Sequence, residues 1–101
     1  MTKREQELFT QLKYEIIYSD NRKGNLIRLH LIKWQGSKKH MRAYTRLYYF
    51  AIKLFTENNI KFKTGNDAPR GGLIGEYIEF KLDFRNSFLR ENFKELKHEP
   101  L

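Results

Sequence analysis

The sequence contains no cysteine, and that one absence removes several chemistries together. Without thiols there are no disulfides, no thiolate zinc sites and no cysteine nucleophile. A small secreted domain commonly leans on disulfides, so their absence predicts a reducing compartment, the cytoplasm. Long apolar runs are missing as well. The longest, Leu47 to Phe55, is interrupted by Lys53 and is too short to span a bilayer, so no membrane partner is expected. The opening residues Met1-Thr2-Lys3-Arg4-Glu5-Gln6-Glu7 predict a charged helix in place of an apolar signal core. Histidine is scarce, and His30, His40 and His98 share no ligand spacing. Neither a metal site, nor a cofactor, nor a nucleophile–histidine–acid relay is predicted from them.

Acid is the other scarcity, and it is local. Between Arg22 and Lys63 the chain carries eleven basic residues and a single acid, Glu57; elsewhere it carries nine basic and eleven acidic residues. The net charge of +8 is therefore concentrated in the middle of the chain. Solubility is served equally well by mixed charge, so a one-sided field points to an anionic partner. The 101 residues suffice for one domain, and with 40% hydrophobic and 15% aromatic residues they can fold around a modest core.

The patterning predicts a single α+β domain over 1–101, in the order α-β-β-α-β-β-α. Thr2 with Glu5 reads as a capping box opening a helix through Leu12. The β-branched and aromatic run Tyr14 to Ser19 predicts a strand. Asp20 to Asn25 is turn chemistry, and Leu26 to Trp34 reads as the partner strand of a hairpin. There Ile27, Leu29 and Leu31 share one face, and Arg28 and His30 the other.

Ser37 is a candidate cap for a central helix running to about Asn58. Tyr44, Leu47, Tyr48, Ala51, Leu54 and Phe55 form its core stripe, opposite Lys39, Arg42, Arg46, Tyr49 and Lys53. Ile60 to Lys63 predicts a short strand, Thr64 to Gly72 a loop, and Ile74 to Phe84 a strand with strict alternation. A last helix follows Asn86 or Ser87, burying Leu89, Phe93 and Leu96. Two hairpins separated by the central helix would form an antiparallel sheet with the helices on one face.

The basic helix face carries the main functional expectation. Phosphates are held by charge-assisted donors, and Lys39, Arg42, Arg46 and Lys53 present them along one stripe. Lys38, Lys39 and Arg42 crowd the helix start, where the macrodipole is already positive, an arrangement that a docked anion relieves. Tyr49 on the stripe and Trp34 beside it are surfaces on which unpaired bases stack. Arg28 and Arg70 extend the predicted contact. Arg70 lies among the glycines of the 64–72 loop; that loop leads into a strand and so lacks the helix a P-loop requires. The expectation is a non-enzymatic protein that binds RNA, or DNA, through its phosphates.

Asp67 followed by Glu79-Phe80-Lys81 resembles the Asp…Glu-x-Lys arrangement of metal-dependent restriction-type nucleases. The resemblance implies Asp67 and Glu79 as Mg²⁺ ligands and Lys81 as the group polarising water. The element order is similar to that of a LAGLIDADG half-domain, but Glu7 to Lys13 lacks that family's small-residue helix and terminal acid, so no catalytic residue carries over. Tyr77-Ile78-Glu79-Phe80 resembles half of the aromatic signature of RNA-recognition motifs, with Tyr77 as an exposed stacking platform, but Ile74-Gly75-Glu76 and the element order depart from that family, so the signature is not met. In compactness and in its Lys, Asn, Ile, Phe and Tyr usage the chain is similar in kind to anti-CRISPR proteins. That likeness implies an alternative: a phage or mobile-element inhibitor docking on a ribonucleoprotein or nucleic-acid enzyme.

Overall fold

The computed structural model describes residues 1–19, 21–22, 25–33, 38–67 and 75–94. Its elements follow the order α1 (Lys3–Ile17), β1 (Asn21–Arg22), β2 (Leu26–Lys33), α2 (Lys38–Glu57), β3 (Phe62–Asp67), β4 (Gly75–Lys81) and α3 (Ser87–Phe93). The strands form one antiparallel sheet in the order β1-β2-β4-β3. Its strand β4 lies between β2 and β3, so the path through α2 crosses over one strand. The α+β class, the element order and the placement of helices on one sheet face are as the patterning predicts.

The first helix begins with a reciprocal cap: the Glu5 amide donates to Thr2 Oγ1 and the Thr2 amide to Glu5 Oε1, both at 3.1 Å. It does not stop at Leu12. The predicted strand over Tyr14–Ser19 is the last turn of α1 and its C-terminal cap, with the Tyr18 amide donating to the Tyr14 carbonyl at 3.1 Å. Leu8, Leu12 and Ile16 recur every four residues and pack on the core, and this burial overrides the weak strand preference of the β-branched residues. The hairpin partner of β2 is consequently only the two-residue β1, turned through Asn25 in a left-handed conformation (φ 61°).

The central helix packs against β2 and α1. Leu47, Ala51 and Phe55 are completely buried on its inner stripe, and Phe50 joins them. Phe55 lies 4.7 Å from Phe80 and 6.1 Å from Phe62 between ring centroids, which ties the helix to β4 and β3. The helix ends in a Schellman motif. Asn59 turns left-handed (φ 58°), the Ile60 amide donates to the Phe55 carbonyl at 2.9 Å, and both of those side chains are buried. Asn86 Nδ2 then donates to the Asn58 carbonyl at 2.9 Å, while Asn86 Oδ1 accepts from the Leu89 amide and caps α3.

From the sheet, Ile27, Leu29, Leu31, Ile78 and Phe80 face this core. Thr64 to Asp67, predicted as loop, are strand: they pair with Ile78, Tyr77, Glu76 and Gly75, and the ladder outweighs the turn preference of Gly, Asn and Asp. The predicted features at Asp20, Trp34, Ser37, Arg70, Ile74, Leu96 and His98 lie outside the described residues. No described helix is long and apolar enough to cross a membrane.

Candidate nucleic-acid interface

The buried stripe of α2 fixes which of its residues face outward. Arg42, Arg46, Tyr49 and Lys53 recur at spacings of four, three and four, and all four are exposed. At a rise of about 1.5 Å per residue they span roughly 16 Å along the helix axis. The helix carries five basic residues (Lys38, Lys39, Arg42, Arg46, Lys53) and one acid, Glu57 at its last position. Lys38 and Lys39 form its first turn, and the direction of their side chains is outside the described structure.

Among the described residues, Arg42 and Arg46 have no acidic partner. The Lys53 ammonium lies 3.9 Å from Glu5 Oε2 at the start of α1. Glu5 itself is held below its ordinary pKa chiefly by the amide and hydroxyl of Thr2, with Lys53 a smaller cause. The Lys53–Glu5 contact is thus loose, in the range of surface pairs contributing about 0–1 kcal/mol. Tyr49 stands edge-on to Tyr48, with ring centroids 5.3 Å apart and planes at 86°, and is 63% exposed. An aromatic face therefore sits between the cations.

Arg28 does not belong to this stripe. It projects from the opposite face of the sheet, the face without helices, where β2, β4 and β3 align it with Glu79 and Lys63. Arg28 Nε and Nη2 approach Glu79 Oε2 at 2.8 and 2.7 Å, and Lys63 Nζ lies 3.0 Å from Oε1. The next row pairs His30, Tyr77 and Gly65. The Arg28 guanidinium lies 4.1 Å from the centre of the Tyr77 ring, and the Tyr77 hydroxyl end lies over Gly65, where a Cβ would be only 2.5 Å from it.

Glu79 stands on the sheet face away from the core, yet its side chain is only 4% exposed, covered by its two cations. The bond from Lys63, then those from Arg28, hold its carboxyl below the ordinary value against an opposing effect of burial. Tyr77, expected as an open platform, is half-buried beside Arg28 and Gly65.

The strand register separates Asp67 from Glu79 and Lys81, and the direction of the Asp67 side chain lies outside the described structure. Asp67 pairs with Gly75, four residues along β4 from Glu79, which is roughly 13 Å at the usual strand rise. Both Glu79 oxygens already accept from cations. Among the described residues no group of three or more His, Asp or Glu side chains is placed to hold a metal ion.

The patterning missed an exposed cluster at the end of α1. Tyr14, Ile17 and Tyr18 are 59%, 41% and 72% exposed, and the two tyrosine rings lie 4.5 Å apart, tilted by 40°. A helical reading of 14–18, at spacings of three and four, would have revealed it. Compared with known protein families, curated proteins and solved structures, the chain gives no match.

Proposed function

We propose that this protein is a cytoplasmic, non-enzymatic nucleic-acid-binding module that grips phosphates along the outward face of α2. The observation that carries the reading is the pair Arg42 and Arg46, one turn apart, exposed, and without an acidic partner among the described residues. Cations kept unpaired on a helix lose the local stabilisation that mixed charge would give, and a polyanion supplies it by releasing its own counterions. Lys53 extends the stripe, and Lys38 and Lys39 begin the same helix. Tyr49 favours RNA or another single strand, since an exposed ring among cations stacks on unpaired bases.

Fluorescence anisotropy with labelled single-stranded RNA, single-stranded DNA and duplex DNA tests the reading. Binding that weakens tenfold or more in Arg42→Glu/Arg46→Glu supports it. Wild-type and variant binding of equal strength contradicts it.

A second reading, an inhibitor that docks on a ribonucleoprotein or nucleic-acid enzyme, is favoured by the exposed Tyr14, Ile17 and Tyr18. Tyrosine-rich patches of this kind suit protein contact. Under that reading the protein holds the ribonucleoprotein far more tightly than free nucleic acid, and Tyr14→Ala/Tyr18→Ala removes the difference.

A further inference from the structure

Among the described residues, the sheet face without helices is a second uncovered surface, and its charge has the same sign as that of α2. Among the described side chains, Arg28, Lys63 and Lys81 project from it against Glu79, a balance of +2. We propose that this face is a separate seat for single-stranded nucleic acid, so that one molecule holds two strands, one on α2 and one on the sheet. The class of partner rests on the reading of α2; the location of the second seat does not.

Charge complementarity is the first support. Glu79 offers no repulsion to a phosphate, because it is buried and each oxygen accepts from a cation. The Lys63 ammonium, with three donors, gives one to Glu79 and is still 69% exposed. Lys81 is exposed one step further along the same face, about 7 Å from the Glu79 row. One ammonium group thus covers a neutralised carboxylate, and a second stands further along the same face.

The second support is the preorganisation of Arg28. Its two bonds to Glu79 and its seat on Tyr77 fix the guanidinium before any ligand arrives. Guanidinium planes and aromatic rings are the surfaces on which splayed bases stack, and a fixed side chain loses little entropy on binding. Gly65, lacking a Cβ, lets the Tyr77 ring lie across β3 and keeps the surface low. Such a shallow face suits an unpaired strand; among the described residues no element projects from it to enter a duplex groove.

The core separates this face from the outward stripe of α2, because Ile27, Leu29 and Ile78 point into the layer that Leu47, Ala51 and Phe55 fill from the other side. The two seats therefore point away from each other.

A strand-capture experiment tests the inference. One uridine 20-mer is immobilised, and retention of a second, labelled uridine 20-mer is measured with the full chain present. Wild type is expected to retain the second strand. Lys63→Gln/Lys81→Glu is expected to bind a single strand within about threefold of wild type by anisotropy, yet to lose capture at least tenfold. A melting curve confirms that the variant folds, and Lys81→Glu alone, at an exposed position, is expected to lose part of the capture. Capture equal to wild type in Lys63→Gln/Lys81→Glu overturns the inference, as does a wild type that binds one strand and never captures another. Replacing the labelled strand with a duplex should reduce capture; equal retention overturns the single-strand assignment. If Arg42→Glu/Arg46→Glu binds a strand that Lys63→Gln/Lys81→Glu cannot, the reading of α2 fails and the sheet seat stands. A wild type that binds no strand at low salt removes both.

Discussion

Arg28 and Glu79 face each other across β2 and β4, with Nη2 2.7 Å and Nε 2.8 Å from the same carboxylate oxygen. The pair is the centre of a polar row that Lys63 completes, on a sheet face where Glu79 is the buried charged residue. Replacing Glu79 by Gln keeps the shape but removes the carboxylate charge that faces half-buried Arg28. A loss of about 1.5–3 kcal/mol is expected, the range for hydrogen bonds to charged groups. Urea unfolding measures it, and Lys63→Gln should cost less because that side chain is largely solvated. Equal midpoints for wild type and Glu79→Gln would contradict this.

The Glu79 carboxyl, held chiefly by Lys63 and then by Arg28, contributes to the acid limb of stability. The folded carboxyl of Glu79 lies below its ordinary value of 4.5, so the unfolded chain takes up the proton first as pH falls. Its contribution is full above pH 4.5 and is lost as pH drops below it. Asp83, lowered to about 2 by its bonds from the Arg85 side chain and amide, behaves the same way over a lower range. Melting temperature should therefore decline on acidification below pH 4.5, with Glu79→Gln showing a shallower decline. A parallel decline in both proteins would show that Glu79 titrates normally.

Gly65 and Tyr77 are coupled by contact. A methyl at position 65 would meet the Tyr77 ring at 2.5–3.0 Å, so the ring must leave its place beside Arg28. Gly65→Ala is expected to destabilise by about 1–3 kcal/mol, as overpacking generally does. In Tyr77→Ala the same change should cost clearly less, a non-additivity that a double-mutant cycle reads directly. Additive effects would place the cost in the backbone instead.

The helical course of residues 14–18 makes an uneven pattern of mutational effects. Ile16 is 2% exposed, and Ile16→Ala should cost about 2–4 kcal/mol, whereas Tyr14→Ala and Tyr18→Ala should each change stability by no more than about 0.5 kcal/mol. A strand would put all three side chains on one face, and comparable losses at 14, 16 and 18 would restore that alternative.

What the sequence revealed, and what it concealed, divides along physical lines. The outward stripe of α2 was legible because twenty helical residues repeat the same periodicity, and β4 because its alternation is strict. Arg42, Arg46, Tyr49 and Lys53 accordingly lie where the pattern put them. The second half of α1 was not legible, since Ile16, Ile17 and their tyrosine neighbours also suit a strand; only the packing of Leu12 and Ile16 decides. The alternation of β2 already put Arg28 on the face opposite the core, but the burial of Glu79 depends on strand register, and register joins residues far apart in the chain. Local chemistry carries no trace of it.

The salt dependence of single-strand RNA binding tests the central claim most directly. Each phosphate contact on a single strand contributes roughly −0.7 to the slope of log K against log salt. Neutralising two of them in Arg42→Gln/Arg46→Gln should therefore reduce the magnitude of the slope by about 1.4 while the melting temperature holds. A slope unchanged from wild type would show that the outward face of α2 is not where the phosphates are held.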